Sequence, residues 1–171
     1  MIYVSCPCNQ YTGGPTLAHQ LCYVLNQEGI SASMLYYGKT SEGVSPVHKN
    51  YEEFHNPYVT TLDKRTRDTI VVTETKTSLL SDYPHAKKYI WWMSVDNFYL
   101  SQISLFKRAA RKLGVYSFSV EAEQTRFKTK TKKILSDENI LHLVQSEYAK
   151  LFLAKNGVSE NKIFYLTDYI E

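Results

Sequence analysis

The sequence predicts an α/β fold, a doubly wound and mostly parallel sheet of about six strands with helices on both faces. Three observations carry this expectation. Short apolar runs recur along the chain and are nearly continuous rather than alternating, which is how strands covered on both faces read. Segments with an apolar face at helical spacing lie between them. Glycines stand where those helices should stop. Strands and helices alternating in this way build βαβ units, whose crossovers force neighbouring strands to run parallel.

The first strand is Ile2–Ser5, "IYVS". It is followed by "QYTGGPTLAHQL", Gln10–Leu21, in which two glycines and a proline precede a periodic segment. In Thr16–Glu28, Leu17, Leu21, Val24 and Leu25 share a face, with Gly29 as terminator and Pro15 suited to the first helical position. Ser31–Tyr37 is the second strand. Gly38–Asp68 has no clean period and reads as a long irregular crossover with room for a short helix. Thr69–Glu74 and Lys88–Val95 are the third and fourth strands, with a single helical turn at Thr77–Asp82 between them. Phe98–Leu113 then places Leu100, Ile103, Phe106, Ala110 and Leu113 on one stripe, ended by Gly114. Val115–Val120 is a candidate further strand, and Arg126–Asp137 reads as a second loop. Ile140–Ser146 is the fifth strand, Glu147–Asn156 a helix capped by Ser146 and stopped by Gly157, and Lys162–Leu166 the sixth strand.

Composition narrows the class. A chain of 171 residues with 43% hydrophobic and 22% charged content suits one globular domain rather than a disordered segment. Its longest apolar runs fall far short of the ~20 residues a membrane span needs. Met1 runs straight into a strand, which leaves no room for a signal peptide. Three cysteines fit a reducing compartment better than a disulfide scaffold, so the expected location is cytoplasmic. The net charge of +3 conceals an asymmetry: Lys107–Lys133 holds nine Lys/Arg against two acids, a net of +7, and leaves −4 for the remainder. Such a segment suits a polyanionic surface. Lys107, Arg108, Arg111, Lys112, Lys128, Lys130, Lys132 and Lys133 are its candidates for contact with an anionic membrane, against the plainer alternative of a solvated charged face. No RNA-binding motif supports nucleic acid.

Ligands of open α/β sheets collect at the carboxyl ends of the strands. That rule selects "CPCNQYTGGPT", then Glu74 and Thr75, then Ser94, Asp96 and Asn97, then Ser146 and Glu147, and finally Asp168. The Gly13-Gly14 turn lets a ligand approach the backbone, or it merely permits a tight strand-to-helix turn. Neither GxGxxG nor a P-loop is present. Asp96 can accept a proton from a substrate hydroxyl, while Asp96 or Asn97 can equally cap the following helix. Cys6 and Cys8, with only Cys22 beside them, do not make a four-ligand metal site, so no metal is expected. The fourteen tyrosines and Trp91-Trp92 suit a core, or a site needing an apolar body with a polar tip.

Taken together, "GGPTLAHQLCYVLNQEGISASMLYY", "YIWWMSVDNFY", "HLVQSEYAKLFLAKNGV" and "KIFYLTDYI" resemble the N-terminal half of GT-B-fold glycosyltransferases, in particular bacterial family-four enzymes that build capsular or surface polysaccharides. The resemblance implies a single Rossmann-like acceptor-side domain over residues 1–171, facing a donor-binding C-terminal domain across a cleft. It implies that Gly13, Gly14, Pro15 and Thr16 face the donor phosphates or sugar. It places Glu74, Ser94, Asn97, Tyr99 and Glu147 on the acceptor side, with Asp96 as the catalytic candidate. A nucleotide sugar is then a substrate rather than a cofactor, and the acceptor is a saccharide, lipid-linked, at the inner face of the cell membrane. The chain stops at "YLTDYIE", where that family's second domain begins, so negligible transfer is expected from it alone. The competing expectation is a non-enzymatic Rossmann-like sugar-binding or regulatory module that pairs with a separate catalytic chain.

Overall fold

The computed structural model describes residues 1–117 and 119–167. Its strands are β1 (Ile2–Pro7), β2 (Ala32–Tyr37), β3 (Tyr58–Val59), β4 (Thr69–Thr73), β5 (Lys87–Trp92), β6 (Ile140–Val144) and β7 (Ile163–Tyr165). The helices are α1 (Gly13–Gln27), α2 (Val95–Gln102), α3 (Leu105–Lys112), α4 (Val120–Arg126), α5 (Lys128–Leu135) and α6 (Glu147–Lys155). All seven strands are parallel in one sheet of order β3-β2-β1-β4-β5-β6-β7. β1 is paired on both sides, Val4 with Met34 of β2 and with Val71 of β4. The order reverses between β1 and β4. Chain leaving β1 moves toward one edge and chain leaving β4 moves toward the other, so the carboxyl ends of these two neighbours open a crevice.

Each face of the sheet carries its own core. On one, Val4, Cys6, Met34 and Tyr36 pack against Ala18 and Cys22 of α1. On the other, Ile70, Val72, Ile90, Trp92 and Val144 pack with Phe98 of α2 and Phe152 and Leu153 of α6. Alternate residues of one strand divide between the two: Met34 and Tyr36 face α1, Leu35 the opposite side. Fully burying side chains of this size is worth ~1.5–3 kcal/mol each, which explains why the near-continuous apolar runs became strands.

Several elements differ from the sequence expectation. The sheet has seven strands because the crossover contributes β3, two residues long, and a 3₁₀ segment at Lys49–Phe54. α1 begins at Gly13 rather than near Thr16, so Pro15 is its third residue. Proline is tolerated there because the first four N–H groups of a helix lack intrahelical partners in any case. The turn expected at Thr77–Asp82 extends back as a 3₁₀ segment over Glu74–Asp82, kinked at Lys76. The single stripe from Phe98 to Leu113 breaks into α2 and α3. Ile103 is extended and buried, and the Ser104 hydroxyl then accepts from the Lys107 N–H to start a new helix. Phe106 and Leu113 are consequently 82% and 79% exposed. No strand forms at Val115–Val120 among the described residues: Val115 is exposed and Ser119 caps α4. The loop expected at Arg126–Asp137 is mostly α5, which buries Thr131 and Leu135 and turns its lysines outward.

Candidate functional site

The crevice between β1 and β4 holds a cleft of about 310 Å³. Ser5 and Pro7 of β1, Gln10 and Thr12 of the following loop, and Gly14 and Pro15 of α1 form one wall. Tyr37, Thr73, Glu74, Thr75 and Asn97 complete it. Gly13 and Gly14 are regular helical residues with no positive φ. A Cβ at Gly13 would meet nothing within 4 Å, and one at Gly14 would meet only the Met93 sulfur at 3.5 Å. Neither glycine is therefore required by backbone strain or by protein crowding, and the tight-turn explanation loses its physical basis. What glycine provides here is open space beside the first N–H groups of α1. Those groups are available: Thr12 is the N-cap, yet its side chain makes no capping bond, and no acid lies in the first turn.

The loop is held from the other side by the crossover. The Asn9 N–H donates to the Pro46 carbonyl at 2.8 Å. The Tyr51 hydroxyl donates to the Thr12 carbonyl at 3.2 Å and lies 3.0 Å from the Thr16 hydroxyl. Below it, His19 stacks on the Tyr51 ring at 4.2 Å and bonds the Tyr36 hydroxyl at 2.8 Å. Burial pulls the His19 imidazole down to about 4, so it is neutral at neutral pH.

Glu74 forms the floor and is 2% exposed. Its carboxylate accepts from the Met93 N–H at 3.1 Å, tying the end of β4 to the turn after β5. Burial raises its pKa to about 7, against the opposing pull of hydrogen bonds from backbone N–H groups. Beside it the Thr73 and Thr75 hydroxyls lie 2.9 Å apart, within reach of the Tyr37 hydroxyl. Among the described residues no Lys or Arg lines the cleft. Its chemistry is that of hydroxyls, amides and one carboxyl group.

The sequence-selected residues are distributed unevenly around this site. Gly14, Pro15, Glu74 and Asn97 line it. Thr16 turns toward Tyr51, and Gly13 is exposed beside it. Ser94, not Asp96 or Asn97, caps α2 by accepting from the Asn97 N–H at 3.1 Å. A serine hydroxyl reaches that position more readily than a carboxylate already inside the helix. Asp96 is exposed in the first turn of α2 and is not among the residues lining the cleft. Tyr99 is 1% exposed and packs against Phe98 and Phe152, so it serves the core. Glu147 sits in the first turn of α6, accepting from the Tyr165 hydroxyl, while Ser146 caps that helix as expected. Asp168 lies outside the described residues.

The basic residues occupy two helices. Lys107, Arg108, Arg111 and Lys112 are on α3; Lys128, Lys130, Lys132 and Lys133 are on α5. A groove of about 370 Å³ lined by Arg108, Arg111 and Lys112 adjoins the cleft, and the two share Thr75 and Asn97. Burial raises the Cys6 and Cys22 thiols to about 12, which removes them as nucleophiles at neutral pH. Among the described residues no helix is long and apolar enough to cross a membrane, and no cluster of three or more His, Cys, Asp or Glu is placed to hold a metal ion.

Sequence reasoning missed Ser5, Tyr37 and Thr73 at the cleft. They lie inside strands, where polarity alone gives no signal, although their position at strand carboxyl ends does. It also missed the role of Tyr51, whose only signal was the density of His, Tyr and Phe over His48–Tyr58. Comparison of the chain with protein-family models, with curated proteins and with solved structures finds no match, so functional assignment rests on the sheet topology and the cleft themselves.

Proposed function

We propose that this chain is the acceptor-side domain of a glycosyltransferase, which moves a sugar from a nucleotide-sugar donor to a saccharide held in the β1–β4 cleft. The observation that carries this is the lining: Thr12, Tyr37, Thr73, Glu74, Thr75 and Asn97 present hydroxyl, carboxyl and amide groups, with no cation among the described lining residues. Saccharide hydroxyls both donate and accept, and such a lining answers both. The sequence resemblance supplies the transfer chemistry, with a second domain to carry the donor and a nucleotide sugar as substrate. A lipid-linked acceptor at an anionic inner membrane face is supported by α3, where Phe106, Leu113 and Val115 are 82%, 79% and 77% exposed among Lys107, Arg111 and Lys112. One observation favours a second reading, a sugar-binding module that pairs with a separate catalytic chain: Asp96, the candidate base, is not a cleft residue.

Titration of the ¹⁵N-labelled chain with maltose tests the cleft. Amide shifts at Gly14, Thr75 and Asn97 are expected. Absence of shifts, or shifts only on the opposite edge of the sheet, would count against a saccharide site. A uridine nucleotide that shifted these amides while maltose did not would favour nucleotide binding instead.

A further inference from the structure

Resting on that reading of the cleft as a saccharide site, we infer that the acceptor is bipartite: a neutral polyhydroxylated unit in the cleft, joined to an anionic group, phosphate or carboxylate, held by Arg108, Arg111 and Lys112.

The two cavities are adjacent, because Thr75 and Asn97 line both the 310 Å³ cleft and the 370 Å³ groove. Chemistry divides at that boundary. On the cleft side the described lining residues include one carboxyl group, Glu74 at the floor, and no cation, although the Lys76 ammonium lies over the Tyr37 ring at 5.3 Å. On the groove side the described lining residues include two arginines and a lysine and no carboxylate. An anion entering the cleft would meet no cationic partner among the described lining residues. In the groove the same anion meets guanidinium groups, whose planar fork matches phosphate and carboxylate alike.

One lining residue of each compartment also carries a buried polar atom with no hydrogen-bond partner among the described residues. Ser5 is 1% exposed and lines the cleft, and its Oγ has no hydrogen-bond partner. Arg108 is oriented by Nη2 donating to the Ser101 carbonyl at 2.6 Å, which leaves its buried Nε–H without an acceptor. A native protein leaves few buried polar groups unsatisfied, and each calls for an explanation. Both atoms are closed off from solvent, so contact with a ligand falls to the exposed hydroxyl, amide and guanidinium groups of the lining.

The test uses four probes at low ionic strength: methyl glucoside, glucose 1-phosphate, glucuronic acid and inorganic phosphate. At least one charged sugar should bind about tenfold tighter than methyl glucoside, as a charge-assisted contact implies. Which charged sugar gains identifies phosphate or carboxylate as the anion. The exposed pair Arg111→Gln and Lys112→Gln removes two of the three cations and should cut the gain several-fold while methyl glucoside binding stays within twofold. Circular dichroism confirms that the double variant folds. Equal affinity for neutral and charged sugars would overturn the inference alone, as would a gain undiminished in the double variant. Inorganic phosphate binding as tightly as glucose 1-phosphate would also overturn it. Failure of every sugar to bind would overturn both the inference and the saccharide site beneath it.

Discussion

Replacing Glu74 by Gln should make the protein more stable at pH 8 and leave its stability nearly unchanged at pH 4.5. Glu74 is 2% exposed, and burial raises its carboxyl from 4.5 to about 7. Between those values the folded state binds a proton that the unfolded state has released, so stability falls as pH rises through the window and is level on either side. At ~1.4 kcal/mol per pH unit the full effect is roughly 3 kcal/mol against the folded protein above pH 7. Glutamine keeps an oxygen to accept from the Met93 N–H and carries no charge, so it escapes the penalty. The neutral side chain should therefore gain up to roughly 3 kcal/mol over the wild type at pH 8. His19 and His142 act in the opposite direction. Burial depresses both to about 4, so each adds stability as pH rises from there toward 6.5. The wild-type profile thus mixes the two, but the difference between variant and wild type isolates Glu74, because both proteins share the histidines. Urea unfolding of the pair at several pH values from 4.5 to 8 measures that difference. A difference that is flat with pH, or that favours the wild type at pH 8, would refute burial as the dominant influence on this carboxyl group.

Asn26→Ala should cost roughly 2–3 kcal/mol, because the Asn26 amide exchanges bonds of 3.0 Å with both the N–H and the C=O of buried Ala32 and holds α1 to β2. Thermal unfolding should fall by several degrees; a Tm within a degree of wild type would show that water replaces those bonds. Phe106→Ser with Leu113→Ser should leave Tm unchanged, since both side chains are exposed, yet lower cosedimentation with vesicles containing anionic lipid several-fold. Undiminished binding to such vesicles, or equal wild-type binding to neutral ones, would remove α3 as a membrane contact.

Much of the sheet was legible because burial on both faces writes itself into composition. Ile70, Val71 and Val72 are all at most 5% exposed, and a run of that kind fits few other structures. β3 was illegible for the opposite reason, since two residues on a sheet edge leave no periodic trace. α5 was hidden by its lysines: Thr131 and Leu135 make a narrow buried stripe, too slight to stand out from a basic run. The broken stripe in α2 and α3 had correct spacing, but spacing does not reveal a serine that starts a second helix. At the site, the strand-end rule found Glu74 and Asn97 from position alone. The exposed Asp96 shows its limit, because a place just past a strand does not say which way the side chain turns.

The glycines at the start of α1 offer the most direct measurement. Gly14→Ala adds a Cβ 3.5 Å from the Met93 sulfur, an ordinary contact, in a helix where alanine is favoured over glycine by ~0.5–1 kcal/mol. If the open space beside α1 belongs to a bound saccharide, the variant should be as stable as the wild type or slightly more so. Its maltose-induced shifts at Thr75 and Asn97 should be strongly reduced. Unchanged maltose binding with unchanged stability would contradict a saccharide site at the β1–β4 cleft.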